Sequence, residues 1–317
     1  MSDHKKKNAK AVTKKLIRLG TILAVTSYAT SNHFYKVAIS RSNHTQVKII
    51  DDVKYDEIPL EGEEWLISVG YELMTLTSFD RLVLRAYYIP ALKPSNNTVI
   101  LAHGYGMNAR SMSTYAKFYR EKLGFNILMP DARGHGMSEG DYKGFGWHER
   151  LDYLKWVEAI ILKNGWDEKI VLHGLSMGAA TVMMTSGEML PVNVRAIVED
   201  CGYTSAYEQI RYRFKEEYRI PECLALPVTS LLTKLRAGYF FKEATAIDQV
   251  KKSKVPTLFI HGKEDTYVPY RMVFELYEAC SAPKAIYTVK GAKHANSLET
   301  DALKYVETVK AFLERYL

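Results

Sequence analysis

The chain has 317 residues, 47% hydrophobic and 25% charged, enough for one large domain or two small ones around a sizeable core. This composition excludes a disordered, collagenous or disulfide-rich protein. Its three cysteines, Cys201, Cys223 and Cys280, form no CxxC motif and no Cys/His cluster. They fit neither a disulfide framework nor a metal site, so we expect no metal and no cofactor.

The net charge of +7 is concentrated at the amino terminus. Residues 1–18 hold six Lys, one Arg and one Asp, which gives +6. The other 299 residues carry 36 basic and 35 acidic side chains. A nucleic-acid-binding domain needs a basic face on the folded body itself, so we expect no nucleic-acid partner.

Residues 1–40 form a basic segment that continues into an uncharged stretch from Leu19 to Tyr35. This order is typical of a secretory signal or an uncleaved anchor. The most apolar part, Leu19 to Ala29, is shorter than the ~20 residues that span a bilayer. Three alternatives stay open: a marginal anchor, an amphipathic helix on an anionic membrane surface, or a soluble helix packed on the body. The expected localisation depends on these alternatives. The protein is membrane-associated through residues 1–40, with its body facing outside if the anchor spans the membrane, and is otherwise cytoplasmic.

The remaining chain, residues 41–317, alternates short apolar runs with helical patterns. Residues 71–90 predict an antiparallel hairpin. Residues 148–165 and the last 20 residues predict amphipathic helices. Six runs predict strands: 98–104, 125–136, 169–174, 194–202, 256–262 and 284–294. Strands this apolar are buried on both faces, which predicts an α/β protein with a mostly parallel sheet covered by helices.

About 50 residues separate the fourth strand from the fifth, which is too long for a simple crossover. They contain helical stretches such as "SAYEQIRYRFKEEYRI". Long insertions in compact domains are usually functional. We therefore predict a helical lid at about residues 203–250, over a pocket at the carboxyl edge of the sheet.

The stretch "KIVLHGLSMGAA" places Ser176 between a predicted strand and a predicted helix. Such a sharp turn strains the backbone of the residue at its apex and holds its hydroxyl above the sheet. Gly174 and Gly178 leave room for the turn to pack. The G-x-S-x-G string is weak by itself, but the strand before it and the helix after it supply the context that a nucleophile elbow requires.

A serine nucleophile needs a base and a group that orients the base. Asp265 follows the fifth predicted parallel strand and His294 follows the sixth. The order Ser176, Asp265, His294 is the one expected of this architecture, with His294 as general base and Asp265 orienting it. Glu264 and Asp200 are alternative acids.

Five stretches resemble the α/β-hydrolase superfamily from about residue 70 to the end: "HGYG", "DARGHGMSEG", "HGLSMG", "HGKEDTYVP" and "GAKH". The pattern is similar to bacterial esterases, monoglyceride lipases and serine aminopeptidases. The resemblance implies a serine hydrolase that cleaves a carboxylic ester, small or lipid-like, through an acyl-enzyme. Peptidase, thioesterase and acyltransferase activity stay open, and a non-catalytic binding module is a remote alternative.

The oxyanion of an acyl-transfer reaction needs two donors. We expect the backbone N–H groups of Met177 and Tyr105, the latter from the "HGYGMN" loop; the sequence leaves open a role for the Tyr105 hydroxyl. Within "DARGHGMSEG", the resemblance implies that Asp131 and His135 are structural. The resemblance also implies that Arg133 and Ser138 organise loops near the site.

Three further histidines, His103, His173 and His261, each precede a glycine at a strand end. We expect them to satisfy buried backbone groups rather than to act as bases.

Overall fold

The computed structural model describes residues 2–41, 60–218 and 222–317. Its centre is one sheet of eight strands: β1 (Glu72–Thr77), β2 (Val83–Ile89), β3 (Asn97–Ala102), β4 (Asn126–Pro130), β5 (Lys169–Leu175), β6 (Val194–Asp200), β7 (Thr257–Gly262) and β8 (Lys284–Val289). The spatial order is β1-β2-β4-β3-β5-β6-β7-β8.

The helices in chain order are α1 (Ser2–Phe34), α2 (Leu60–Val69), α3 (Ser113–Phe118), α4 (Glu149–Asn164), α5 (Met177–Ser186), α6 (Ala206–Tyr218), α7 (Glu222–Ala237), α8 (Ala246–Val250), α9 (Arg271–Ala279), α10 (Ser297–Thr300) and α11 (Ala302–Leu313). A π-helical turn, Tyr35–Ile39, continues α1 directly.

The strand pairing confirms the predicted α/β class. β1 and β2 form the predicted antiparallel hairpin, and β2 also runs antiparallel to β4. All six apolar runs are strands, and β3 to β8 pair in parallel. Paired residues alternate between the two faces: Val99 and Val171 face one core, whereas Ile100 and Leu172 face the other. Both faces are covered by helices, which explains why the strands contain so few polar residues.

Two helical predictions differ in detail from the structure. The helix predicted at 148–165 is α4, but Leu151 and Leu154 of the predicted apolar stripe are only half-buried, while Tyr153 and Trp156 are buried. The last predicted helix is divided at Asp301 into α10 and α11. Asp301 has φ −145° and ψ 65°, outside the helical region.

The insertion between β6 and β7 contains α6, α7 and α8. The lid role and its boundaries at about 203–250 stay a prediction. Residues 219–221, inside the predicted lid, lie outside the described residues. Helix α1 packs against α7. The predicted domain boundary at residue 40 stays a prediction, because residues 42–59 lie outside the description.

Within the described ranges, no helix combines the length and the apolar character needed to cross a membrane. Cys201 and Cys280 are buried free thiols, and the Cys223 side chain lies outside the description.

Candidate active site

Ser176 lies at the turn between β5 and α5, with a φ of 55°. This positive φ is the strain that the sequence predicts for the turn. The Ser176 N–H donates to the Asp200 carbonyl of the neighbouring strand at 2.8 Å. A Cβ added to Gly174 would lie 2.1 Å from the Gly178 carbonyl oxygen, and one added to Gly178 would lie 2.0 Å from that of Ala102. These distances confirm that both positions have room only for glycine.

The structure brings the three predicted catalytic side chains together, although they come from three strand ends. His294 Nε2 lies 2.9 Å from Ser176 Oγ, and His294 Nδ1 lies 2.7 Å from Asp265 Oδ2. All three residues are buried, with 3–6% of their surface exposed. A hydroxyl, an imidazole and a carboxylate in this order can transfer the serine proton to the imidazole.

Asp265 is held as a carboxylate by several donors. Its Oδ1 accepts the N–H groups of Tyr267 at 2.8 Å and Val268 at 2.9 Å. Burial alone would raise the pKa of Asp265, but the charge of His294 and hydrogen bonds from His261 and His294 hold that pKa well below its usual range. The carboxylate is therefore ionised throughout the neutral range and can stabilise a charged His294.

The two alternative acids lie elsewhere. Asp200 accepts hydrogen bonds from the hydroxyls of Ser297 at 3.1 Å and Tyr305 at 3.0 Å, and burial raises its pKa to about 6. Glu264 accepts the Gly291 N–H at 2.7 Å. Of the three candidate acids, Asp265 is the one hydrogen-bonded to His294.

The two expected oxyanion donors belong to segments that adjoin Ser176. Met177 is the first residue of α5, so its N–H has no partner within the helix. The loop that carries Tyr105 lies against the elbow, since a Cβ added to Gly104 would lie 3.6 Å from Ser176 Cβ. The Tyr105 hydroxyl donates to the Ala38 carbonyl at 2.9 Å. This bond directs the hydroxyl toward the amino-terminal segment.

Lys143 lies over the ring of Tyr105, with its Nζ 4.3 Å from the ring centre and 3.2 Å from the hydroxyl oxygen. Burial lowers the pKa of Lys143 to about 8. Sequence reasoning did not single out this lysine, because its contact is with a loop 38 residues away in the chain.

Asp131 and His135 organise loops, as the resemblance implied. The two carboxylate oxygens of Asp131 accept the N–H groups of Ala109 and Met137 at 2.7 and 2.8 Å. His135 Nδ1 lies 2.9 Å from the Arg133 carbonyl. The guanidinium of Arg133 is fully buried and pairs with two carboxylates, Asp80 and Asp152, both at 2.7 Å.

The three remaining strand-end histidines have different partners. His103 Nε2 accepts the Ala132 N–H at 3.0 Å, as expected. His173 instead contacts the hydroxyls of Tyr119 and Tyr305, at 3.0 and 3.3 Å, and burial lowers its pKa to about 3. His261 contacts the Val268 carbonyl at 3.1 Å, as expected, and also the Asp265 carboxylate. The His261–Asp265 spacing of four residues was the available signal, and the sequence interpretation missed it.

Cys201, Asp265 and His294 bring one potential metal ligand each within 4.8 Å of one another. Their chemistry does not suit a metal site. Burial raises the pKa of the Cys201 thiol well above its usual value, which keeps it protonated, whereas a thiol binds metal as a thiolate. Asp265 and His294 are engaged with each other.

A cavity of about 830 Å³, including its open mouth, reaches Ser176. Its walls come from the elbow, from α6 and α7, and from the end of the amino-terminal segment. Most lining side chains are apolar or aromatic: Phe34, Val37, Ala38, Ile39, Tyr105, Phe145, Met177, Tyr203, Ile210, Phe214, Leu226, Phe241 and Tyr267. A cavity of this type binds the apolar part of a small molecule.

The charges of the polar lining residues nearly cancel. Arg213 and Glu217 form an ion pair, so the two charges offset each other. Gln209 donates to the Tyr267 carbonyl at 2.9 Å, whereas its buried Oε1 has no hydrogen-bond partner in the described part of the protein. The cavity thus favours a neutral ligand.

Comparison with known proteins agrees with this geometry. The model of the prolyl oligopeptidase family matches residues 110–317, more than half of the chain. The chain belongs to this family. With its eight-stranded sheet and its elbow, this family member is a hydrolase of the α/β-hydrolase superfamily.

Individual relatives cover most of the chain. The uncharacterized protein YqkD of Bacillus subtilis is 34% identical over 231 residues, covering 73% of this chain and 75% of YqkD. The Pyrococcus furiosus esterase Pf2001 is 25% identical, with a TM-score of 0.63 over 79% of this chain and 92% of the esterase. The Pyrococcus horikoshii acylaminoacyl peptidase shares the fold at 18% identity and a TM-score of 0.59, covering 78% of this chain and 42% of that one.

Proposed function

We propose that the protein is a serine hydrolase that cleaves a neutral carboxylic ester through an acyl-enzyme. The observation that carries the proposal is the continuous contact from Ser176 Oγ through His294 to Asp265, at 2.9 and 2.7 Å. The apolar cavity at Ser176 and the similarity to the Pyrococcus furiosus esterase support an ester substrate.

The acylation step follows from the positions of the three side chains. Ser176 Oγ attacks the ester carbonyl carbon while His294 Nε2 accepts the hydroxyl proton. The negative charge that develops on the carbonyl oxygen is stabilised by the N–H groups of Met177 and Tyr105. The C–O bond to the alcohol then breaks, and His294 returns the proton to the leaving oxygen.

Deacylation reverses these roles. His294 takes a proton from water, and the resulting hydroxide attacks the carbonyl carbon of the acyl-serine. Collapse of the second tetrahedral intermediate releases the acid, and Ser176 Oγ regains its proton from His294. Asp265 keeps the imidazole in the required tautomer and offsets its charge in both steps.

Peptidase activity is the second candidate, favoured by the family match and the fold shared with an acylaminoacyl peptidase. Thioesterase and acyltransferase activities use the same acyl-enzyme. A binding module is disfavoured, because the nucleophile, base and acid are all present and in contact.

The first test is hydrolysis of p-nitrophenyl esters from acetate to palmitate by the wild type and by Ser176→Ala. We expect activity that depends on Ser176, with a loss of at least about 10⁴-fold in the variant. A fluorophosphonate probe should label the wild type and leave the variant unlabelled. Labelling without hydrolysis of any ester would favour the peptidase, and absence of both would reject the serine hydrolase.

We also propose that α1 lies on an anionic membrane surface. Its described side chains include exposed cations, such as Lys14, Lys15 and Arg18, beside exposed Leu16 and Ile17, which are 63% and 62% exposed. Apolar side chains at the lipid boundary, flanked by cations near anionic headgroups, are the features of an interfacial helix. Each basic residue near such a surface contributes about 1 kcal/mol.

Co-sedimentation with vesicles tests this membrane proposal. We expect binding to vesicles that contain phosphatidylserine, much weaker binding to phosphatidylcholine alone, and at least a tenfold loss for the double variant Lys14→Glu/Lys15→Glu. The control is a double charge change on exposed lysines of the body, Lys117→Glu/Lys122→Glu. Equal binding to both vesicle types, or no binding, would reject the proposal.

A further inference from the structure

One wall of the catalytic cavity comes from the amino-terminal segment. Phe34, at the end of α1, lines the cavity together with Val37, Ala38 and Ile39 of the π-helical turn. Ser176 lines the same cavity from the elbow. We call residues 31–41 the amino-terminal wall. The cavity therefore combines a segment that precedes the sheet with a serine at the end of a central strand.

The amino-terminal wall is attached to the helices of the insertion. Ser31 Oγ donates to the Ala225 carbonyl of α7 at 3.1 Å, within the buried interior. The Phe34 ring packs edge-on against Phe214 of α6, with ring centres 4.6 Å apart. Arg236 of α7 lies over the Tyr35 ring at 4.8 Å. The contacts fix one edge of the cavity at the predicted lid.

The other end of the amino-terminal wall is attached to the loops around the elbow. The Ala38 carbonyl accepts the Tyr105 hydroxyl, and Tyr105 belongs to the loop expected to supply an oxyanion donor. The Ile39 carbonyl accepts the Lys143 N–H at 2.8 Å. The guanidinium of Arg41 donates to three carbonyl oxygens of the 136–140 loop, at 2.6, 2.9 and 3.4 Å.

The two sets of contacts connect opposite ends of the wall to different parts of the protein. Its Ala38 end adjoins the loop beside Ser176, whereas Phe34, four residues earlier, contacts the helix above the cavity. Ser176, Val37, Phe34 and Phe214 all line one cavity, so an acyl group on Ser176 Oγ can reach the wall. No charged side chain of the wall itself lines the cavity among the described residues.

We infer that the amino-terminal wall is the specificity-determining surface of the acyl site, and that the substrate is an ester of an unbranched apolar acid whose chain runs along Val37 and ends against Phe34. The inference rests on the proposed function, since it assigns the acyl side of the same reaction. A rigid apolar wall discriminates by length, because one methylene group gained or lost in an apolar pocket changes kcat/KM about 10–200-fold.

Two substitutions change the wall in opposite directions. Val37→Trp narrows the cavity at a half-buried position. We expect the ratio of kcat/KM for the longest accepted ester to kcat/KM for p-nitrophenyl acetate to fall at least about tenfold. Phe34→Ala opens the far end, and we expect the preferred chain to lengthen by two or more carbons. Val25→Trp, at a position of α1 that is 62% exposed, is the matched control and should leave the length profile unchanged.

A binding measurement separates failure of this inference from failure of the proposed function. Titration calorimetry with dodecanoate requires no turnover. We expect wild type and Val25→Trp to bind it equally and Val37→Trp to bind at least about tenfold more weakly. An unchanged length profile together with unchanged dodecanoate affinity in Val37→Trp overturns the inference, as does absence of binding to the wild type. The wild type could neither hydrolyse esters nor be labelled at Ser176, and still bind dodecanoate selectively. That result overturns the proposed function and leaves the wall as a fatty-acid site.

Discussion

His261 Nε2 lies 3.2 Å from Asp265 Oδ2, the same oxygen that contacts His294 Nδ1. The Val268 carbonyl oxygen also lies 3.1 Å from His261 Nε2, so this nitrogen carries a proton. The candidate acid thus receives donors from two imidazoles and two backbone N–H groups. Such an arrangement fixes the carboxylate in place.

Asp265→Asn is expected to lower kcat by about 10⁴-fold on the ester that the wild type prefers, because an amide favours the wrong tautomer of His294. Its matched control is Glu264→Gln, the adjacent residue, whose carboxylate accepts the Gly291 N–H at the surface. We expect this control to keep kcat within about threefold. A large loss in Glu264→Gln together with a small loss in Asp265→Asn would move the acid to Glu264.

Glu199→Gln is expected to flatten the dependence of stability on pH between about 5 and 8. Burial raises the pKa of Glu199 to about 8, against the opposing charge of His261. Between the unfolded value of about 4.3 and this folded value, the native state binds more protons, so stability falls as pH rises. His261 acts in the same direction: although burial lowers its pKa, the hydrogen bond to Asp265 raises it overall.

The measurement is the free energy of unfolding by urea at pH 5, 6, 7 and 8. Relative to the wild type, the variant should gain on the order of 1–3 kcal/mol as pH rises from 5 to 8. Parallel curves for the two proteins would show that Glu199 does not titrate in this window.

Gly178→Ala is expected to destabilise the fold by about 1–3 kcal/mol or more, because the new methyl group would overlap the backbone of β3. The control is Gly20→Ala in α1, where nothing lies within 4 Å of an added Cβ, and where alanine favours the helix by about 0.5–1 kcal/mol. Thermal unfolding compares the two. A melting temperature of Gly178→Ala equal to that of the wild type would contradict the close approach of elbow and strand.

Tyr105→Phe is expected to reduce kcat less than about tenfold. Its hydroxyl already donates to Ala38, so the backbone N–H is the donor available to an oxyanion. Loss of an oxyanion donor costs about 10²–10³-fold in kcat. A loss of that size in single-turnover acylation, with KM unchanged, would instead make the hydroxyl the donor.

Sequence patterns predicted the sheet well and placed the candidate triad residues at strand ends, for the same physical reason. Strands buried on both faces must be apolar throughout, so the six parallel strands stand out as runs such as "TVILAHG". The polar residues that end these runs are carried to one edge of the sheet. Strand order, the G-x-S-x-G context and the family resemblance together pointed to Ser176, Asp265 and His294, with Glu264 and Asp200 left as alternative acids.

Features that depend on distant contacts could not be predicted. The partners of α1 lie about 200 residues further along the chain, and no local periodicity encodes them. The same holds for His173, which was expected to bind backbone groups but contacts the hydroxyls of Tyr119 and Tyr305. Tyr305 lies in α11. The sequence shows the apolar face of this helix, but it does not show which residue the Tyr305 hydroxyl contacts.

The docking of Ser31 onto Ala225 has a consequence for the order in which the protein is made. The two residues are 194 positions apart, so at 5–20 residues per second the ribosome completes α7 roughly 10–40 s after it has completed Ser31. Strands β1 to β6 are synthesised within that interval. The growing chain can therefore form its elbow before α7 is available to pack against the amino-terminal wall. Acyl selectivity is then acquired after the nucleophile is in place.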